Sequence, residues 1–173
     1  MWNLFSCKND LQTIKALEEV DTLPELTARN IEILYSEKGH VEVKLQSPYL
    51  KGYGGKDPYT EFPEGFTVLF YDTAMNVRSR ISANYGISYD KKKLMEARYD
   101  VVAENLEKNE KLMTEQLFWD QNKETIYSNK FIRITRGDEV VTGDGLQSDQ
   151  DMDNVVITNP HGLINVVDNP AQK

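Results

Sequence analysis

Few residues of this chain have the types and spacing that metal or nucleophilic chemistry needs. His40 and His161 each adjoin a glycine at a turn signal, and the single cysteine is Cys7. Zinc sites draw several Cys or His ligands from short characteristic spacings, and the sequence has no second cysteine and no His-x-x-x-His pattern. Cys7 also precedes the segment that we expect to fold. These residues therefore predict neither a metal site nor a catalytic nucleophile.

The acidic run SDQDMDN places Asp149, Asp151 and Asp153 at alternate positions, as a calcium loop does. An EF-hand loop that starts at Asp149 would need a glycine at Asn154 and a bidentate glutamate at Pro160. Both positions are wrong for calcium, and no helical pattern flanks the run. We therefore interpret it as a solvated turn.

The glycine-rich stretch TGDGLQ, residues 142–147, follows a strand pattern and is not followed by a helix. It therefore lacks the helix N-terminus that makes a phosphate site, and we expect Gly143 and Gly145 to relieve the backbone at a bulge. Nothing in the pattern places two carboxylates in a shared dry pocket. We predict a protein that is not an enzyme and has no cofactor.

The charge balance excludes some classes of partner. With 28 acidic and 20 basic residues the net charge is -8, which argues against nucleic-acid binding because phosphates require a basic surface. The negative charge also argues against electrostatic binding of anionic lipid head groups. If the protein binds lipid, we expect contact through apolar side chains.

From residue 27 onward the sequence predicts strands. Apolar and polar residues alternate in ARNIEILYS and HVEVKLQSPYL, and Lys38-Gly39 between them is a hairpin signal. Later alternating stretches are separated by short polar turns, so the simplest architecture is a meander in which every strand is antiparallel to the next. Apolar residues three apart in residues 8–24 indicate a short amphipathic helix or a tether.

Alternation also assigns one apolar, interior face. We expect some of its residues to line a groove and the rest to fill it, and the pattern does not separate these roles. The interior candidates are Ile31, Ile33, Val43, Leu45, Ile81, Ala83, Ala97, Tyr99, Leu117, Trp119, Ile126, Ile132 and Ile134.

The order of segments resembles a known family. VEVKLQSPYL, VRSRISANYG, LMEARYDVVAEN, KLMTEQLFWD and TIYSNKFIRITRGDEVVTGDGLQSDQDM follow one another as in LptC, the periplasmic component of lipopolysaccharide export. LMTEQLFWDQNKETIYSNKFIRI followed by GDGLQSDQDMDNVVITNPHG resembles the C-terminal half of LptC-like lipoproteins of Bacteroidetes-type bacteria. The resemblance covers residues 27–163.

The resemblance implies an open, twisted antiparallel β-jellyroll, two facing sheets in a V, preceded by a short helix or tether. It implies that lipopolysaccharide passes from an inner-membrane ABC transporter, through a hydrophobic groove that holds the lipid A acyl chains, to an LptA-like protein. The transporter would dock at the N-terminal edge, residues 27–36, and the LptA-like protein at the C-terminal edge, about residues 153–158.

The N-terminal sequence LFSC resembles a bacterial lipobox, with Leu4 and Ser6 at the matching positions before Cys7. MWNLFS lacks the basic region and the apolar stretch of a complete signal. We therefore interpret residues 1–7 as a remnant of a lipoprotein signal, 8–26 as a tether, 27–161 as the jellyroll domain and 162–173 as a tail. A lipid on Cys7 would anchor the protein to the inner membrane, facing the periplasm.

Two other functions stay open at this point. One is a soluble LptA-like lipid shuttle, which shares the jellyroll and has no anchor. The other is an anchored structural or adhesive β module that binds no ligand and whose aromatic residues only form its core.

Overall fold

The computed structural model describes residues 23–165, and these form an all-β, antiparallel structure with no helix among them. The strands are β1 (Leu26–Glu37), β2 (His40–Tyr53), β3 (Tyr59–Phe62), β4 (Phe66–Tyr71), β5 (Val77–Ala83), β6 (Tyr85–Tyr89), β7 (Leu94–Asn105), β8 (Glu110–Asp120), β9 (Thr125–Ser128), β10 (Ile132–Arg136), β11 (Glu139–Gly143), β12 (Gly145–Asp149), β13 (Val156–Thr158) and β14 (His161–Asn165). The predicted fold class is confirmed.

Several sequence predictions concern other parts of the chain. The signal remnant with its lipid attachment at Cys7, and nearly all of the predicted helix or tether, lie outside the described residues. The predicted tail begins at residue 162, but β14 continues to Asn165 and pairs with β11. Residues 166–173 lie outside the described part.

The strands form two facing sheets that share their longest strands. In sheet I the order is β1-β2-β4-β5-β7-β8-β10-β11-β14, and in sheet II it is β1-β2-β3-β6-β7-β8-β9-β12-β13. The first half of β7 pairs with β6, and its second half pairs with β5. The long strands therefore pass from one sheet into the other.

All the passages between the sheets lie along one line, which we call the spine: Asn30, Ser47, Gly65, Asn84, Tyr99–Asp100, Glu115, residues 129–131, Asp144 and Asn159. Strand pairs such as β5–β6 and β11–β12 are successive in sequence but do not pair, because the chain crosses the spine between them. The expectation that every strand pairs with the next is wrong for these crossings.

Close backbone packing holds the spine together. Ser47 Oγ donates a hydrogen bond to the Gly65 carbonyl at 2.6 Å, and the Asn84 amide donates to the Tyr99 carbonyl at 3.0 Å. Gly65 has φ +84°, and a Cβ there would lie 2.6 Å from the Ala83 carbonyl oxygen. The spine therefore requires glycine at this position.

Candidate functional site

The apolar core lies between the two sheets and contains most of the interior candidates. Ile81, Ala83, Ala97, Leu117, Ile126, Ile132 and Ile134 are buried. Ile31, Val43, Leu45 and Trp119 are partly buried and pack against the core. Ile33 and Tyr99 are exposed.

Tyr99 lies outside the interior, contrary to the alternation that runs through Met95, Ala97 and Val101. Tyr99 and Asp100 together oppose the single residue Glu115 on β8, and both have positive φ, 64° and 51°. This bulge inserts an extra residue and turns the tyrosine outward, where it is 58% exposed. The prediction that Tyr99 faces the groove is wrong.

The centre of the interior is filled by side chains. Val68 and Ile81 of sheet I face Met95, Leu117 and Trp119 of sheet II, and the space enclosed among them is only ≈ 10 Å³. Phe70 contacts the Trp119 ring edge-on at 5.3 Å between centroids. A volume of this size holds about one water molecule, so an acyl chain enters here only if the sheets or their side chains move apart.

Beside this centre, the interior opens between the β1–β2 hairpin and the turns of sheet II, and we call this open end the mouth. The mouth contains a larger space, which we call the entrance cavity. It has a volume of ≈ 450 Å³ and lies between the β1–β2 hairpin and the turns at the ends of the sheet II strands. Its apolar wall is Ile33, Tyr35, Val43, Leu45 and Trp119, and its polar rim is Glu37, Glu42, Lys93, Gln121, Asn122, Glu124 and Gln150. Trp119 also lines the filled centre, so the entrance cavity leads directly to the core.

A second space at the mouth, ≈ 680 Å³, lies between the β1–β2 turn and sheet I. It shares Glu37, Glu42, Val43 and Gln150 with the entrance cavity. Its other acidic lining residues are Asp72, Glu107 and Asp151, and its cations are Lys38 and Arg78. The mouth is therefore apolar on its inner wall and mainly acidic at its rim.

The run SDQDMDN forms the β12–β13 turn at this mouth. Asp149 Oδ1 accepts a hydrogen bond from the Asp153 amide at 2.6 Å, and Asp149 Oδ2 accepts one from Asn154 Nδ2 at 2.7 Å. Met152 is only 2% exposed and belongs to the apolar core. The interpretation as a solvated turn is therefore wrong for the middle of the run, and alternation offered no signal for it.

The outer face of sheet II carries a charged network around Glu96, which is buried. Arg98 donates two hydrogen bonds to its carboxylate, at 2.6 and 2.9 Å, and Gln116 donates another. Burial acts to raise the pKa of Glu96, but the bonds from Arg98 and Gln116 outweigh it and hold this pKa below its usual value. Because Arg98 and Gln116 already donate hydrogen bonds to both carboxylate oxygens of Glu96, we assign the network a structural role.

Three further observations concern metal ligation, the histidine at the start of β14 and membrane-spanning helices. Among residues 23–165, no cluster of three or more His, Cys, Asp or Glu is placed to hold a metal ion. His161 Nε2 lies 2.9 Å from Asp144 Oδ1, and this pair joins β14 to the spine. Within the same residues, no helix has the length and apolar character needed to cross a membrane.

Comparison with known proteins identifies a family. A family model described as "Lipopolysaccharide-assembly, LptC-related" matches residues 1–160. No curated protein matches the chain.

Proposed function

The chain belongs to the LptC-related family of lipopolysaccharide-assembly proteins, and on this premise we propose that it carries lipopolysaccharide by burying the acyl chains between its two sheets. The observation that carries the proposal is the entrance cavity, whose apolar wall leads through Trp119 into a continuous apolar core. The chain accepts lipopolysaccharide from an inner-membrane ABC transporter and passes it to an LptA-like protein.

Burial of apolar area supplies the affinity. Each methylene removed from water contributes about 0.8 kcal/mol, so ten methylenes contribute about 8 kcal/mol before the cost of opening the core. The rim carboxylates of Glu37, Glu42 and Glu124 repel phosphate groups. The acyl chains therefore enter the interior while the phosphorylated sugars stay in water, and this balance keeps the lipid transferable.

The sheet edges support the two proposed partner contacts. β1 has one neighbour, β2, among the described strands, so its other edge presents unpaired backbone groups. Among the strands of residues 23–165, β13 pairs only with β12. We propose strand addition by the transporter at residues 27–36 and by the LptA-like protein at about residues 153–158.

The remaining parts of the proposal concern location and chemistry. We propose a periplasmic protein held at the inner membrane by a lipid on Cys7. We also propose that it catalyses no reaction. Both carboxylate oxygens of the buried Glu96 already accept hydrogen bonds from Arg98, and the wall of the entrance cavity is apolar.

Photo-crosslinking tests the proposed ligand. We place a benzophenone amino acid at Trp119, in the wall of the entrance cavity, and at Tyr99, an aromatic residue on the outer surface. We expect lipopolysaccharide to be captured at Trp119 and not at Tyr99, because only Trp119 adjoins the interior. The readout is a crosslinked band that reacts with an antibody to lipopolysaccharide.

Capture at both positions, or at neither, would contradict the proposal. Capture at neither position, with no competition by lipopolysaccharide for a bound apolar dye, would favour a structural β module that binds no ligand.

A further inference from the structure

The β12–β13 turn leaves sheet II, reaches across the mouth to contact sheet I and returns to sheet II, and we call residues 149–154 the strap. On the sheet II side, the Gln150 amide donates to the Glu124 carbonyl at 2.9 Å. The Gln150 side-chain oxygen accepts a hydrogen bond from Trp119 Nε1 at 3.1 Å. The strap is therefore fastened directly to a wall residue of the entrance cavity.

On the sheet I side, the strap is held by side chains of β5, β7 and the turn after β7. Asn105 Nδ2 donates to the Asp151 carbonyl at 2.7 Å, and Arg78 Nη2 lies 3.7 Å from Asp151 Oδ2. Lys108 Nζ lies 2.6 Å from Asp153 Oδ1. These contacts bridge the two sheets without any strand pairing, so they can break one at a time.

Met152, in the middle of the strap, combines a turn backbone with a buried side chain. Its φ is +60°, a left-handed conformation that a methionine rarely adopts. Its side chain is nevertheless part of the apolar core. The turn itself imposes this conformation, because the Met152 amide donates to the Asp149 carbonyl at 3.1 Å. Met75 has φ +65° in an equivalent turn, with its amide donating to the Asp72 carbonyl, yet its side chain is 52% exposed. Burial of the side chain, rather than the backbone conformation, therefore distinguishes Met152.

We propose that the strap is a movable closure over the interior, and that Met152 occupies apolar space that an acyl chain takes when the strap lifts. The proposal rests on the proposed function. The filled centre, with its ≈ 10 Å³, has no room for a chain while its lining side chains are in place, and Met152 belongs to the same apolar core. Lifting the strap removes one side chain from the core and breaks the hydrogen bonds and ion pairs described above, so the closed and open states differ by few contacts.

Thiol labelling measures the strap directly. The probe is Met152→Cys in a Cys7→Ser background, so that residue 152 carries the only thiol. The test variant adds Arg78→Gln and Lys108→Gln, which remove both ion pairs to the strap. The matched control adds Arg80→Gln, because Arg80 lies on the same strand and pairs with Glu104 instead.

We expect the test variant to react with a maleimide roughly tenfold faster than its parent, as the loss of two partly exposed ion pairs would allow. The Arg80→Gln control should react at the parental rate. Lipopolysaccharide added to the parent should also speed the reaction, because the lipid displaces the Met152 position from the core.

Unchanged labelling in the test variant, or equal acceleration in the Arg80→Gln control, would overturn the closure. Crosslinking of lipopolysaccharide at Trp119 with no change in labelling at position 152 would contradict the movable strap and leave the proposed function standing. Absence of any lipopolysaccharide crosslink at Trp119 would overturn the closure together with the proposed function.

Discussion

Glu96 is a charged residue that is only 4% exposed, although it lies on the outer face of a sheet. Carboxylates are rarely buried to this extent unless they are paired. Its hydrogen bonds come from two side chains. Arg98 lies two residues along the same strand, and Gln116 is the residue on β8 that pairs with Arg98. The network joins β7 to β8 next to the bulge at Tyr99 and therefore stabilises the point where these strands change sheets.

Replacement of Glu96 by Gln should lower the free energy of unfolding by about 2 kcal/mol at pH 7, the usual cost of losing hydrogen bonds to a charged group. The folded-state pKa of Glu96 lies below its usual value of 4.5, so its contribution is present above the unfolded pKa and is lost as pH falls through the folded pKa. Urea unfolding of the variant and the parent should therefore converge as the pH drops below 4.5. The exposed Glu115→Gln is the control, and a pH-independent difference between Glu96→Gln and the parent would contradict the assignment.

At the scale of elements, β1 is the strand most open to a partner. It is a 12-residue edge strand, and in its second half Leu34 is exposed on the face opposite Ile33 and Tyr35, which line the entrance cavity. Pairing with β4 reaches only Val43–Gln46 of β2, so the end of the β1–β2 hairpin extends past its neighbour. A long apolar edge of this kind is normally an aggregation hazard unless a partner covers it.

If the proposed transporter docks at β1, Leu34→Lys should weaken its binding at least tenfold, while the free energy of unfolding changes by only about 0.5 kcal/mol because the side chain is exposed. Co-purification with the transporter, together with thermal unfolding, measures both quantities. Met113→Lys is the matched control, since Met113 is an exposed apolar residue on the central strand β8. Equal binding by Leu34→Lys and Met113→Lys would exclude the β1 edge as the docking strand.

The whole molecule is closed in its centre and open at its mouth. Sheets I and II are joined along the spine by strands that run through both, and on the opposite side they are joined by the strap. Because the spine contains backbone hydrogen bonds and the mouth mainly side-chain contacts, we expect the sheets to separate at the mouth. In the proposed lipid-carrying role, stability and ligand capacity compete for the same core volume.

Leu117→Ala tests this competition. Leu117 is 2% exposed and lines the filled centre, so its truncation should lower the free energy of unfolding by about 3 kcal/mol. The cavity that it leaves should increase the affinity for an apolar dye or an acyl chain, because fewer core atoms must be displaced. Chemical unfolding and dye titration measure the two effects. Leu34→Ala, at a 53% exposed position, is the control; loss of dye affinity in Leu117→Ala with the fold retained would contradict the model of a shared volume.

The sequence by itself determined the fold class and much of the core. Strict alternation in VRSRISA and IRITR is enough to bury Ile81, Ala83, Ile132 and Ile134, because side chains of a strand point alternately to its two faces. The segment order was also enough to indicate the LptC family. Gly143 and Gly145, expected at a bulge, instead flank the crossing of the spine at Asp144 between β11 and β12.

Only the tertiary structure decided which strands pair and where alternation fails. The β9–β12 pairing joins residues far apart in sequence, and no local pattern encodes it. The bulge that exposes Tyr99 depends on the opposing strand β8. Met152 is buried because the strap contacts Asn105 and Lys108 across the mouth. Each of these outcomes depends on contacts between separate segments of the chain. The alternation of apolar and polar residues indicates only which side chains of a single strand share a face.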